Sequence, residues 1–439
     1  MQIHVLGWGQ RLWLIAILGI LGGDLAWAEN WPGWRGPRGD GTSRETAVPT
    51  HWNGMTGDQI AWKVPTPSAG HASPIVWGER VFLSGCDQQT QARELVCLHR
   101  DSGQVLWRRT VLQAPLETKH QLNSYASSTP ATDGELVVAA FLEVTGETIP
   151  ARNVSRARPV TPGRMVVAAF DLEGNPRWVV RPGEFVSVHG FCACPVFFEN
   201  LVIVNGDHDG DSYLCALDRK TGATVWKTAR EHQTRSYVTP LIRQYGGRNQ
   251  LILSGSKAIC SYDPRTGDAI WKIDGPTEQF VASMVDDGQY LFMAAGFPTH
   301  HVMAIRPDGT GNVTNTHIAW HVTTAHCYVP SPIVVDSYLF VPDDRGTANC
   351  FDTRTGMRHW QERLGSHYSA SLVMAGGLVY FLADDGLTKI VRPGPKLEVV
   401  AENPLGEYSF ASPAISQGKI FIRGEKHLYC IGTHSTANR

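Results

Sequence analysis

The sequence predicts an all-β protein, an eight-bladed β-propeller with four antiparallel strands in each blade. The first observation is a short unit, "ALDRKTGATVWK" (216–227), in which a strand end, a Lys-Thr-Gly turn and a strand ending on Trp226 follow one another. The second observation is that this unit recurs along the chain. The third is a set of hairpins between its copies. A period of about 40 to 50 residues with four short strands per repeat is typical of a propeller.

The tryptophan-terminated units carry the period. Relatives of the first unit include "CLHRDSGQVLWR" (97–108) and "CFDTRTGMRHWQ" (350–361), and "KIVRPGPKLEVV" (389–400) has Val where Trp would stand. The repeated tryptophans are Trp62, Trp107, Trp178, Trp226, Trp271, Trp320 and Trp360. We expect each of them to lie on an outer strand and to pack against the next blade over its tight turn.

Hairpins with a Ser/Thr-Pro-like start, such as "HASPIVWGERVFLSG" and "FASPAISQGKIFIRG", alternate with these units. The count reaches eight blades if the N-terminal strand 59–64 joins the C-terminal blade, which otherwise has three strands. Such closure removes exposed sheet edges. The predicted division is a signal peptide 1–28, an N-terminal segment 29–58, the propeller 59–432 with an insertion 143–165 in blade 2, and a tail 433–439.

Export is predicted by the N-terminus, where Arg11 precedes an apolar run (12–21) and Ala26-Trp27-Ala28 offers a cleavage site. The run is too short and too interrupted for a membrane anchor. We therefore expect a periplasmic or extracellular monomer with no transmembrane segment in the mature chain. The formal net charge of −2 and a pI near 6.8 give no broad electrostatic footprint for nucleic acid.

Nine cysteines would enter an oxidising compartment, and the odd number leaves at least one unpaired within the chain. Cys97 and Cys350 recur at one position of the repeat, which places them in different blades. We therefore favour small buried packing residues over a disulfide framework. Cys192 and Cys194 in "HGFCACP" are the leading exception, although residues two apart in a strand lie near the upper limit for bridging.

The repeats resemble the tryptophan-docking repeats of the pyrroloquinoline-quinone-like β-propellers. That superfamily includes quinoprotein alcohol dehydrogenases and, more distantly, the propeller lipoprotein of outer-membrane protein assembly. "WPGWRGPRGDG" (31–41) and "GEKHLYCIG" (424–432) resemble a secreted, largely uncharacterised group abundant in planctomycete-type bacteria. The resemblance implies a fold, and it does not by itself imply an activity.

By resemblance, a quinone site would use adjacent cysteines on one face of the cofactor, a tryptophan on the other, and calcium held by Glu, Asn and Asp. This chain has no adjacent cysteine pair, and after Trp62 only Trp77 lies outside the repeat. We therefore expect no cofactor. Pyrroloquinoline quinone is therefore not expected to bind, and a titration would test this.

Functional residues of a propeller are sought where loops meet over the central channel. The stretches just before each Ser/Thr-Pro-like step are rich in His and Tyr. The candidates for a ligand-binding face are His71, His120, Tyr125, His189, His232, Tyr237, His326, Tyr328, His367, Tyr368 and Tyr408.

Two loops are candidates for a metal. Asp207, Asp209 and Asp211 in "GDHDGD" offer alternate carboxylates to Ca²⁺, against the alternative of a polar hairpin turn. His300 and His301 could serve a transition metal together with a histidine of a neighbouring loop. Adjacent strand residues point to opposite faces, so joint chelation by these two would require a loop conformation.

The leading interpretation is an exported propeller that acts as a binding or scaffold module for a protein or polysaccharide partner. The insertion adds Arg152, Arg156, Arg158 and Arg164, which would suit an anionic partner such as a sulfated glycan, against the alternative of a solvated loop. The other function considered is an exported enzyme, either a quinone-dependent dehydrogenase or a metal-assisted enzyme using the His and Asp loops.

Overall fold

The computed structural model describes residues 28–433, and no helix occurs in that range. The predicted signal peptide, apart from its last residue, and most of the predicted tail lie outside the described residues. Among the described residues, no helix long and apolar enough to cross a bilayer was found. The regular elements are β-strands, as the sequence predicted.

The strands form eight blades around a channel, six with four strands and two with a fifth. The first strand, β1, spans Ile60–Pro65. Blades 1 and 2 contain β2 (Ile75–Trp77), β3 (Arg80–Asp87), β4 (Ala92–His99), β5 (Val105–Gln113), β6 (Ala131–Thr132), β7 (Leu136–Val144), β8 (Ile149–Pro150), β9 (Pro159–Val160), β10 (Gly163–Asp171), β11 (Pro176–Val180) and β12 (Glu184–Phe185). The short β8 and β9 pair only with each other, within the insertion.

Blades 3 to 5 follow the same meander. Blade 3 has β13 (Val196–Phe198), β14 (Leu201–Gly206), β15 (Tyr213–Asp218) and β16 (Thr224–Ala229). Blades 4 and 5 contain β17 (Leu241–Tyr245), β18 (Arg248–Gly255), β19 (Ala258–Tyr262), β20 (Ala269–Asp274), β21 (Val285–Asp286), β22 (Leu291–Ala295), β23 (His301–Ile305), β24 (Gly311–Asn312) and β25 (Ile318–Val322).

The last three blades complete the ring. They contain β26 (Ile333–Val335), β27 (Tyr338–Pro342), β28 (Thr347–Asp352), β29 (Arg358–Arg363), β30 (Val373–Ala375), β31 (Leu378–Leu382), β32 (Leu387–Arg392), β33 (Glu398–Pro404), β34 (Ala414–Ser416), β35 (Lys419–Arg423) and β36 (His427–Ile431). The N-terminal β1 pairs antiparallel with β36, with Val64 opposite Leu428. The predicted closure is confirmed, with the strand one residue further along the chain.

Burial follows the position of each strand in its blade. In blade 3, the middle strands β14 and β15 are buried along almost their whole length, because neighbouring blades cover both of their faces. In the outer strand β16, only Trp226 is buried.

Six of the seven repeated indoles donate their N–H to a backbone carbonyl of the next blade. Trp107 Nε1 is 2.9 Å from Leu172 O, and its ring lies so close to Gly174 that an added Cβ would be 2.7 Å from the indole. The φ of +83° at this position also favours glycine. The six are Trp62, Trp107, Trp178, Trp226, Trp320 and Trp360. Trp271 differs, because it donates to Gln250 of its own blade and β24 pairs in parallel beside it.

Inner-strand hydroxyls join neighbouring blades around the channel. Six backbone amides just before the first strands donate to the equivalent side chain of the next blade, at 2.9 to 3.3 Å. The amides are those of Ser73, Thr129, Thr239, Ser283, Ser331 and Ser371. The acceptor in blade 3 is the Cys194 thiol, which stands where other blades have a hydroxyl.

The cysteines confirm the packing interpretation. All nine are unpaired in the structure, and eight of them are buried. Burial raises the pKa of the Cys97 thiol to about 12, so this group stays protonated and behaves as a small hydrophobe.

The first part of the N-terminal segment 29–58 crosses the far end of the channel, whereas Trp52 and Gly54 bond to the outer strand β33 of blade 7. Trp31 exchanges backbone hydrogen bonds with Val76 of β2, and the Thr132 amide of blade 2 donates to the Pro32 carbonyl. Arg35 is buried and donates to the carbonyls of Leu372 and Pro332 in two further blades. These contacts with the inner strands of four blades place residues 31–35 across the channel.

Candidate ligand-binding site in the channel

A cavity of about 900 Å³ fills the mouth of the channel on the His- and Tyr-rich face. All eight blades contribute to its wall through residues before their first strands. Taken one per blade, from blade 1 to blade 8, these wall residues include Ser73, Thr129, Cys194, Thr239, Val281, Val329, Ser371 and Ser412. The cavity is therefore formed only when all eight blades close into a ring.

Six of the eleven candidate residues line this one cavity. They are His71, His120, His189, Tyr237, Tyr328 and His367. The other five lie near it: Tyr408 is exposed and stacks parallel to the lining residue Phe410, whereas Tyr368 is fully buried. His232 lines an adjoining groove, His326 packs against His300, and Tyr125 lies under Lys119.

Trp34 of the N-terminal segment also lines the cavity. The sequence-based search for a spare indole considered only tryptophans that follow Trp62, and it therefore missed this one. Trp77 lies in β2, and its ring packs against Gly134 of blade 2. Since residues 31–35 cross the channel, Trp34 forms the floor of the cavity.

The wall from blades 1 to 4 carries imidazoles that are neutral at pH 7. The His120 and His189 ring centroids are 5.5 Å apart, and Tyr237 follows at 6.1 Å from His189. Burial, reinforced by the charge of Arg235, lowers the pKa of His189 to about 3. Burial, together with the charge of Arg423, lowers the pKa of His71 to about 4. Neutral imidazoles can both donate and accept hydrogen bonds.

The wall from blades 6 and 7 carries carboxyl groups. His367 Nδ1 lies 2.6 Å from Asp384 Oδ2, and Asp384 also accepts from the amide and hydroxyl of Ser369. Asp344 accepts from the Val329 amide at 2.9 Å. Burial raises the pKa of the Asp344 carboxyl to about 6. This wall therefore offers a hydrogen-bond acceptor at Asp344 that takes up a proton near pH 6.

The Asp loop is engaged in ion pairs. Asp207 accepts from Arg230 at 2.9 Å, and both oxygens of Asp209 lie 2.8 Å from Arg235 Nη1. Asp211 accepts from Gln233. Among residues 28–433, no group of three or more His, Cys, Asp or Glu side chains is arranged to hold a metal ion. The loop geometry thus favours the polar turn.

The adjacent histidines diverge, as alternation along a strand predicts. His300 packs edge-on against His326, with centroids 4.7 Å apart. His301 begins β23, and its Nδ1 lies 2.8 Å from His321 Nε2. The two rings therefore contact different partners.

The insertion docks over the cavity mouth. Its predicted bounds include the ends of β7 and β10, so the connecting loop is 145–162. Asn153 donates to Asp209 at 2.9 Å and accepts from Arg235 at 3.0 Å. Asn153 and Arg158 line the cavity. This part of the insertion is an arm packed on the channel face, in contrast to the alternative of a solvated loop.

A polar groove of about 640 Å³ adjoins the cavity between blades 4 and 5. Lys257, Glu278 and Pro298 line both spaces. The two spaces therefore meet, and a long molecule could occupy both.

Comparison with known proteins identifies the family. A family model described as outer membrane protein assembly factor BamB matches residues 143–306 and 312–392, more than half of the chain. The chain belongs to this family. The BamB-type match agrees with the repeat resemblance, which pointed to the PQQ-like propellers. A search of curated proteins gave no match.

Solved structures share the fold of this BamB-type chain. BamB from Moraxella catarrhalis is 13% identical, with a TM-score of 0.59 over 85% of this chain and 99% of that one. A europium-containing methanol dehydrogenase is 13% identical, with a TM-score of 0.57 over 90% and 89%. The quinohemoprotein alcohol dehydrogenase ADHIIG from Pseudomonas putida HK5 is 11% identical, with a TM-score of 0.62 over 93% and 81%. At these identities the likeness concerns the fold alone.

Proposed function

We propose that the protein is an exported binding module that holds a ligand or an extended part of a partner in the channel cavity. The observation that carries this proposal is the cavity itself, which all eight blades line and whose floor includes Trp34. A concave space with aromatic surface and a few polar groups is the usual form of a ligand site. The apolar run and cleavage site at the N-terminus support export.

A protein partner is supported by the cavity rim. Leu122, Phe297 and Tyr408 are large side chains that are 47%, 50% and 58% exposed on this face. The matched family is named for an assembly factor, which favours protein binding as one use of the same face. Leu122 and Phe297 also line the cavity, so a partner on the rim would compete with a ligand inside.

The proposal is tested by filling the cavity. Val281→Trp places an indole in the cavity wall, and Val105→Trp places one on the exposed part of outer strand β5 as a matched control. Each immobilised protein is incubated with envelope and culture-medium extract, and retained molecules are identified by mass spectrometry. We expect the wild type and Val105→Trp to retain a molecule that Val281→Trp loses. Equal retention by all three would refute the cavity as the site.

A quinone-dependent oxidoreductase is the second candidate, and Trp34 is the observation that favours it. Trp34, Cys192 and Cys194 line the same cavity, so an indole and two thiols are available to a flat aromatic ligand. The calcium half of such a site fits less well, because Asp207 and Asp209 already face arginines. Calorimetric titration with pyrroloquinoline quinone, with calcium and then with chelator, separates the candidates. Stoichiometric, calcium-dependent binding would favour the oxidoreductase.

A further inference from the structure

One corner of the cavity mouth carries cations without carboxylate partners. Arg158 Nη2 lies 3.5 Å from His189 Nε2, and Lys119 Nζ lies 3.3 Å from the carbonyl of His120. Neither cation forms an ion pair with any residue between 28 and 433. We define Lys119, Arg158, His120 and His189 as the basic corner.

Cations deeper in the same region show the contrast. Arg235 is paired with Asp209, and Arg93 lies 2.5 Å from Glu117. Arg235 and Arg93 are thus matched by carboxylates within the chain, whereas the buried Arg423 donates only to backbone carbonyls and Arg158 at the mouth has no carboxylate beside it. An anion there would gain charge-assisted hydrogen bonds from Arg158.

Aromatic rings line the space beside the basic corner. His71 and Phe410 have ring centroids 4.7 Å apart, and Tyr408 continues the row parallel to Phe410. Trp34 adds an indole to the floor. Aromatic faces attract positively polarised groups such as sugar C–H bonds, and neutral imidazoles can bond to hydroxyls in either direction.

The adjoining groove offers space for the part of a long ligand that extends beyond the cavity. It meets the cavity at Lys257 and Glu278 and continues past Lys272, Asp274 and Thr299. A ligand of several linked units could place one unit in the cavity and the next in the groove.

We propose that the ligand is an acidic oligosaccharide, with a carboxylate or sulfate at the basic corner, sugar rings against the aromatic residues and the chain leaving through the groove. This inference rests on the proposed function, since it names the ligand class of the same cavity. Both anions share the chemistry that Arg158 recognises, and the test distinguishes them. An acidic peptide is a separate outcome of the test.

The test is calorimetry with matched pairs of charged and uncharged probes. The pairs are trigalacturonate with its methyl ester, and a sulfated galactose oligosaccharide with its desulfated form; hexaglutamate is the peptide probe. We expect one acidic sugar to bind at least tenfold more tightly than its uncharged partner. Arg158→Gln should weaken that binding about tenfold, whereas Arg354→Gln should leave it unchanged, because Arg354 is exposed in a turn and forms no ion pair within the described residues.

The results separate this inference from the proposed function. Equal binding of charged and uncharged sugars, no binding of either acidic sugar, or no effect of Arg158→Gln would overturn the inference. Tighter binding of hexaglutamate than of either acidic sugar would overturn the assignment of the ligand as an oligosaccharide. If an extract ligand is still lost in Val281→Trp, only the ligand class is wrong. If no ligand is sensitive to Val281→Trp, the proposed function fails as well.

Discussion

The buried pair of Asp209 and Arg235 offers a sharp prediction, because it underlies both the Asp loop and the docked insertion. The side chains are 1% and 3% exposed, and both Asp209 oxygens lie 2.8 Å from Arg235 Nη1. Removing one partner of such a pair leaves the other buried and uncompensated, which costs about 3 to 5 kcal/mol. We expect Asp209→Asn to lower the free energy of unfolding by that amount.

The magnitude is tested by a double-mutant cycle. Asp209→Asn, Arg235→Gln and the double variant are unfolded in urea at pH 7, with Asp58→Asn as an exposed control. The double variant should be about 2 to 3 kcal/mol more stable than the sum of the single effects predicts, because no charge is left unpaired. Additive effects would refute the pair as a unit.

The same experiment separates an ion pair from a metal site. If Asp209 acts through Arg235, chelator leaves the wild-type unfolding curve unchanged. If Asp209 acts as a calcium ligand, chelator lowers wild-type stability and removes most of the difference from Asp209→Asn.

Three further predictions concern the propeller. Trp226→Ala should cost about 3 to 5 kcal/mol in urea unfolding, and Trp226→Phe less, because the ring is 9% exposed and Phe loses mainly the hydrogen bond. Deleting the N-terminal strand Ile60–Pro65 should increase hydrogen exchange in the distant His427–Ile431, and protection there equal to the wild type's would contradict closure. The wild-type protein should lose stability as pH falls from 6.5 towards 4, because His71 binds a proton in the unfolded chain but stays neutral in the folded one. The variant His71→Asn should show a flatter slope of unfolding free energy against pH. An identical slope in both proteins would contradict a neutral, buried His71.

The fold was predictable because its determinants are local and repeated. Three features can be recognised along the sequence: the turn before each tryptophan, the hairpins between the tryptophans, and a last blade that lacks one strand. Trp271 was harder, because its contact depends on the longer loop of blade 5, where β24 pairs in parallel with β20. Spacing along the chain did not show which strand that loop would join.

The site was predictable in part. Loops before the inner strands converge by symmetry, and six of the eleven named residues line one cavity. Trp34 was missed because the N-terminal segment lies outside the repeat. The Asp loop was ambiguous because its partner Arg235 lies 26 residues further along the chain from Asp209, in the approach to the next blade. Ion pairing between residues of different blades depends on the tertiary structure, which the local pattern of carboxylates does not reveal.

The most direct test of the cavity as the ligand site is hydrogen–deuterium exchange of the full chain with and without its retained ligand. We expect added protection in the loops before the inner strands and in the insertion 145–162. Protection confined to the outer strands or to the turns on the opposite face would contradict it.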